Sequence, residues 1–326
     1  MKSLINSLII FVLFTCIATT KSQTSSVLHS PPNNKKVETM KQGDQCKNEE
    51  AIGRIRATPV GDSFSFTIIG DTAPYASQEY DSVFSGLMAQ MEQLEPKPAF
   101  MAALGDFAGG GSAQQYDHYQ TLVSKLSIPN ITAIGNHDRD DLSGWQTYRD
   151  IRGPLNYEFA FGNTRFIVLK CHWGNRINPN EKQTQDIDGL TETELEFLED
   201  CLQRNTHEVK VIMMHSPPSF NNRFAGRIGD GFPDLESDFL ALVDKYDVNL
   251  VLAAHVICYD RYEYNGTTFV TSAGGGYELD GEFENPPYDG HFHHFVEITI
   301  DQSTGAFTGR VIKHGDGTTS LSGFSF

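Results

Sequence analysis

A chain of 326 residues, 39% apolar and 21% charged, has room for one large domain or two modest ones. Its net charge of −17 argues against a nucleic-acid partner, because backbone phosphates would be repelled. A small phosphorylated substrate remains compatible, since a metal ion reverses the field locally.

Residues 1–22 have the pattern of a secretory signal peptide: Lys2, an apolar run from Leu4 to Phe14 broken at Asn6 and Ser7, then small and hydroxylated residues around Ala18. That run is too short to span a bilayer, so a secreted or otherwise extracytoplasmic protein with no stable membrane anchor is expected. Cys46, Cys171, Cys201 and Cys258 lie beyond it. They would form up to two disulfides, in any of three connectivities, or stay as buried thiols. Glycosylation sequons stand at Asn130 and Asn265. Residues 23–60, polar and containing Pro31-Pro32, read as a poorly ordered arm.

From Ser63 the pattern changes. Phe64, Phe66 and Ile68 alternate as in a strand that ends at Gly70-Asp71. Tyr80, Phe84, Leu87, Met91 and Leu94 have helical spacing. A second strand, Ala99–Leu104, ends at Gly105-Asp106, and Tyr116, Tyr119, Val123 and Leu126 mark a second helix. A third strand, Ile131–Ile134, runs into Gly135-Asn136-His137-Asp138, and a short helix follows around Trp145, Tyr148 and Ile151. A hairpin turns at Gly162-Asn163. Thr191 and Glu194 form a capping-box pattern before a helix. The strand Val209–Met214 ends at His215, a helix covers Leu235–Tyr246, and the strand Leu250–Leu252 leads to His255. A hairpin turns at Asn265-Gly266, and strands are predicted at Phe295–Ile300 and Ala306–Ile312. This alternation predicts one α/β domain over residues 61–315, partly parallel and extended by antiparallel strands, with a tail over 316–326.

Five strand exits thus carry residues of metal-ligand type: Asp71, Asp106, Asn136 with His137, His215, and His255. In open α/β sheets these exits share one rim, where ligands bind. The mixed oxygen and nitrogen set suits a divalent ion such as Mn, Zn, Fe or Mg. Such an ion would activate water for attack on a phosphoryl group, and an imidazole such as His137 could protonate the leaving alkoxide. His291, His293 and His294 read as exposed strand-edge histidines. Asn221, Asn222, Arg223 and Arg227 offer possible phosphate contacts in a loop.

These motifs resemble, in order, those of the calcineurin-like metallophosphoesterases. His255-Val256-Ile257-Cys258-Tyr259-Asp260-Arg261 is similar to the purple acid phosphatase-like branch. The resemblance implies a four-layer αββα sandwich of two mixed β-sheets flanked by helices, and two metals bridged by Asp106. It further implies a site of Asp106, Asn136, His215 and His255, with His137 as proton donor and Asp138 as its orienting partner. Asp71 would belong to the second site. There the chain departs from the family, with Ala73 and Ile257 at positions that usually carry histidine and Gly109 at the tyrosine of purple members. One well-built metal site and a second weak or absent one are therefore expected. The reading is a secreted metal-dependent phosphoesterase acting on a phosphate monoester or diester. The alternative is a catalytically impaired relative serving as a binding module.

Overall fold

The structure, a computed structural model, describes residues 46–74, 77–139, 145–177, 184–218, 236–279, 290–315 and 320–325. In chain order the elements are α1 (Lys47–Ala57), β1 (Ser63–Ile69), α2 (Gln78–Met91), β2 (Met101–Leu104), α3 (Ala113–Val123), β3 (Asn130–Ala133) and α4 (Gln146–Ile151). Next come β4 (Tyr157–Phe161), β5 (Thr164–Val168), β6 (His172–Ile177), β7 (Thr184–Asp188), α5 (Glu192–Gln203), β8 (Val209–Met213), α6 (Glu236–Lys245) and β9 (Leu250–Ala253). The chain closes with β10 (Tyr259–Tyr264), β11 (Thr267–Ser272), β12 (His294–Asp301), β13 (Phe307–Lys313) and β14 (Ser320–Ser325).

Two six-stranded sheets result, ordered β14-β13-β12-β1-β2-β3 and β10-β11-β9-β8-β5-β4. Both are mixed: β1, β2 and β3 are parallel in the first, as are β5, β8, β9 and β11 in the second, with antiparallel strands outside them. Strand periodicity distributes the core. Phe64, Phe66 and Ile68 of β1 face the cluster between the sheets, while Ile69 joins the layer that holds Phe84 and Leu87 of α2. Met101 and Ala103 of β2 face that outer layer, and Ala102 and Leu104 face inward. On the far side Leu198 of α5 and Phe239 of α6 cover Ile212 of β8 and Val251 of β9. This is the expected αββα sandwich. Its centre is aromatic: Phe66 stacks on Phe100 with centroids 5.0 Å apart and meets Phe166 edge-on at 5.3 Å. Burying each such ring contributes about 1.5–3 kcal/mol.

Capping follows the sequence signals. Ser77 accepts from the Tyr80 amide at the start of α2, and Glu194 accepts from the Thr191 amide at 3.1 Å at the start of α5.

The predicted limits need three corrections. The poorly ordered arm of 23–60 ends in the ordered helix α1, because Ala51 and Ile55, one turn apart, insert into the central core. The tail of 316–326 contains β14, which pairs with β13. An unforeseen hairpin, β6 with β7, occupies the segment before α5.

The sandwich ends on one side in β3 and β4, the last strands of the two sheets, and α1 packs against both. Asn48 replaces the missing neighbour of β3: its Oδ1 accepts from the Thr132 amide at 3.1 Å and its Nδ2 donates to the Thr132 carbonyl at 3.4 Å. That carbonyl also accepts from the hydroxyls of Tyr148, at 2.7 Å, and Tyr157, at 2.8 Å. The side chain of Asn130 is likewise engaged, accepting from the Tyr119 hydroxyl and donating to the Ile131 carbonyl, so that sequon is unsuited to glycosylation. Asn265 sits exposed in its turn. Cys46, Cys171, Cys201 and Cys258 are buried free thiols, so the disulfide alternative is not realised.

His294 corrects the strand-edge expectation, being fully buried. Its Nδ1 donates to the Phe292 carbonyl at 2.8 Å, leaving Nε2 to accept from Ser272 Oγ at 3.2 Å. Burial holds its pKa down to about 4, against 6.5 for an ordinary histidine. The unfolded chain therefore binds the extra proton first. The contribution is complete above pH 6.5 and is lost as pH falls toward 4, by on the order of 3 kcal/mol. Urea midpoints should fall over this window, and less steeply in His294→Gln; equal slopes would refute the assignment.

Candidate metal centre

Parallel pairing brings the predicted residues together. Asp71, Asp106 and Asn136 follow β1, β2 and β3, and His215 and His255 follow β8 and β9, so both sheets present their strand exits to one rim. The loops are joined by their backbones: Asp71 donates its amide to Gly105, Ala73 to Asp106, and Ala254 to His215.

Ligating atoms of Asp106, His215 and His255 lie within 4.8 Å of one another. His215 Nε2 is 3.2 Å from Asp106 Oδ2, 3.2 Å from Asn136 Oδ1 and 3.2 Å from His255 Nδ1. His215 Nδ1 donates to the Leu104 carbonyl at 2.7 Å. A carbonyl only accepts, so this bond fixes the proton on Nδ1 and aims the Nε2 lone pair at the cluster, the arrangement that metal-binding histidines use. Asn136, the fourth expected donor, joins through its oxygen. Asp71 stands beside this group rather than within it, its Oδ2 accepting the His255 amide at 2.9 Å.

Close approach and strain shape the rim. A Cβ on Gly105, whose φ is +95°, would lie 2.4 Å from His215 Nδ1. A Cβ on Gly135 would lie 2.2 Å from Asp106 Oδ1. Asp71, Asp106 and His255 all adopt left-handed backbone, with φ of 56°, 55° and 66°. Such conformations cost on the order of 1–3 kcal/mol each and persist where surrounding structure enforces them, often at functional sites.

Asp138 is fully buried, and its carboxylate accepts from four backbone amides, those of Asp106, Phe107, Ala108 and Gly135, at 2.8–2.9 Å. It thereby clamps the loop that carries Asp106. His137 is exposed at the rim, its amide donating to Asp106 Oδ1 and its ring 6.4 Å from that of Tyr277.

The electrostatics favour a cation. Burial pushes Asp71 up, to about 6, with Asp106 adding to the effect against His215 and His255. Burial also opposes the charge on Asp106, but His215 outweighs it and holds that carboxyl well below the ordinary range. His215 is raised to about 10: burial works against its charge, and the Asp106 and Asp71 carboxylates overcome it. A metal therefore competes with a proton here, and binding releases it. The donor set of carboxylate, amide oxygen and two imidazoles fits a borderline divalent ion.

The second site has fewer donors. Ala73 is buried with no donor atom, and Ile257 packs into the core between the sheets. His118, a conceivable substitute, binds Asp81 at 2.8 Å. Cys258 is buried, the His172 side chain is outside the described residues, and so are Asn221, Asn222, Arg223 and Arg227. The amide grip of Asp138 is the feature sequence reasoning missed; its only local sign was a carboxylate three residues after Gly135.

The family described as Calcineurin-like phosphoesterase matches residues 64–259 of this chain. A curated protein of Rhodopseudomonas palustris named "Probable cyclic nucleotide phosphodiesterase" is 26% identical over 168 residues, covering 50% of this chain and 59% of that protein. A purple acid phosphatase from yellow lupin seeds is similar in fold, with a TM-score of 0.59 and 21% identity over 81% of this chain and 53% of the lupin chain. The anchor in the inner membrane complex of Plasmodium also has this fold, with a TM-score of 0.59 and 13% identity over 81% of this chain and 88% of its own.

Proposed function

Because the chain belongs to the calcineurin-like phosphoesterase family, we propose that it hydrolyses a phosphate monoester or diester at the rim, with a metal held by Asp106, Asn136, His215 and His255. The convergence of Asp106, His215 and His255 is the observation that carries this reading. A divalent ion bound there supplies positive charge against the phosphoryl oxygens and makes water acidic enough to attack near neutral pH. The protein does the rest. His215, tethered to Leu104, and Asp106, held by the Asp138-clamped loop, keep the donors in place without reorganisation. The exposed imidazole of His137 gives its proton to the departing alkoxide as the P–O bond breaks, then regains one from solvent. Asp71 and Asp106 alone would retain only a hard, largely hydrated ion such as Mg²⁺ at a second position.

Metal analysis of the purified chain, with turnover of nitrophenyl phosphate and bis-nitrophenyl phosphate, tests this. A single tightly held metal and hydrolysis of at least one ester are expected. Two tightly held metals would contradict the depleted second site. The name of the Rhodopseudomonas relative favours the diester arm. The donor-free Ala73 and Ile257 favour a second reading, a binding module; no turnover with Mn²⁺, Zn²⁺ or Mg²⁺ at any pH would select it.

We further place the protein outside the cytoplasm on the pattern of residues 1–22. No helix among the described residues is long and apolar enough to cross a membrane. N-terminal sequencing of exported protein should begin near residue 23; retention of Met1 would refute export by cleavage.

A further inference from the structure

A second charged feature lies away from the metal centre. Arg152, at the end of α4, is 2% exposed. Its guanidinium lies over the rings of Phe107, at 5.4 Å, and Tyr119, at 5.0 Å. Among the described residues its only side-chain hydrogen bond is a long one, Nη2 to Asn130 Oδ1 at 3.4 Å, and Nε has no partner there. Among the described residues no carboxylate pairs with it. A buried cation without a counter-charge is costly, and ring faces only partly compensate it.

Arg152 lines a pocket of about 240 Å³ between α1 and α3. Lys47, Glu50 and Arg54 also line it, and so does Gln120, whose buried Oε1 has no partner among the described residues. Glu50 is bound to Lys47 at 3.0 Å, both side chains being more than 40% exposed. Ala51, Val123, Leu126 and Ile128 supply an apolar wall. The pocket adjoins Asn130 at the start of β3, whereas Asn136 follows that strand's exit, up to about 20 Å along the chain.

The geometry points to a binding site for a small organic oxyanion with a short aliphatic body. Its charged oxygens meet the Arg152 guanidinium, and its hydrocarbon lies along the apolar wall. The volume suits a molecule of a few heavy atoms, and its negative charge offsets that of the buried guanidinium. The site is independent of the phosphoesterase reading.

Calorimetric titration of the full chain with butanoate, butylphosphonate and sulfate tests it. Butanoate or butylphosphonate should bind with a Kd below about 1 mM and more tightly than sulfate. Which of the two binds better identifies carboxylate or phosphorus oxyanion as the preferred group. Arg152→Gln should weaken binding at least about tenfold. Arg54→Glu, on the exposed lip, where it costs only the 2.8 Å bond to the Ser127 carbonyl, should weaken it in the same direction in protein shown by its thermal melt to be folded, and His255→Ala should leave it intact. The proposal is overturned by undiminished binding in Arg54→Glu and Arg152→Gln, by loss in His255→Ala, which would place the anion at the metal centre, or by no binding of either organic anion up to about 10 mM.

Discussion

Asp138→Ala is expected to unfold the domain or leave it barely stable. Four buried amides would lose their acceptor together, and each such donor left without a partner costs about 1–3 kcal/mol. Even at the low end the sum is comparable with the whole stability of a typical domain, about 5–15 kcal/mol. Asp138→Asn should fare little better, since its amide NH₂ would face N–H donors now bound by a carboxylate oxygen. A residue that only orients a catalytic histidine would tolerate that isosteric change. Thermal melts of Asp138→Asn therefore separate the two roles, and a wild-type melting temperature would sink the clamp. Where Asp138→Asn folds at all, metal occupancy should fall with it, because Asp106 sits on the clamped loop.

The second large effect concerns chemistry rather than folding. His137→Ala should lower kcat by about 10²–10⁴-fold, the usual worth of a positioned proton donor. Metal content should not change, because the side chain lies outside the convergent donors. The loss should be smaller for nitrophenyl phosphate than for phenyl phosphate, whose poorer leaving group depends more on protonation. Equal losses for both, or loss of the metal, would remove His137 from the role of leaving-group acid.

The site was legible because its residues stand where a periodic signal stops. Alternating Phe64, Phe66 and Ile68 gave the direction of β1, and the next polar residue, Asp71, had to lie at its exit. The same logic placed Asp106, Asn136, His215 and His255. It could not tell which exits meet: Asp71 bonds the His255 amide instead of joining the three-residue cluster, a matter of local backbone geometry. The amide contacts of Asp138 escaped notice for a related reason, as its partners lie up to 32 residues away, beyond any local pattern. The arm failed differently. α1 buries only Ala51 and Ile55 in the core, with Ile52 packed against it, a stripe too thin to outweigh its polar composition. The hairpin of β6 and β7 and the strand β14 carry no alternation of apolar residues that would announce them.

α1 has a consequence for how the protein survives outside its native context. Without Asn48 the amide of Thr132 would lose its partner on an open strand, its carbonyl keeping only the hydroxyls of Tyr148 and Tyr157, with apolar core exposed between β3 and β4. Unpaired edges of that kind recruit strands from other molecules. A protease cut within residues 46–57 would thus do more than trim an end: it would open the edge of β3 to intermolecular pairing. The eleven residues of α1 act as a guard against aggregation.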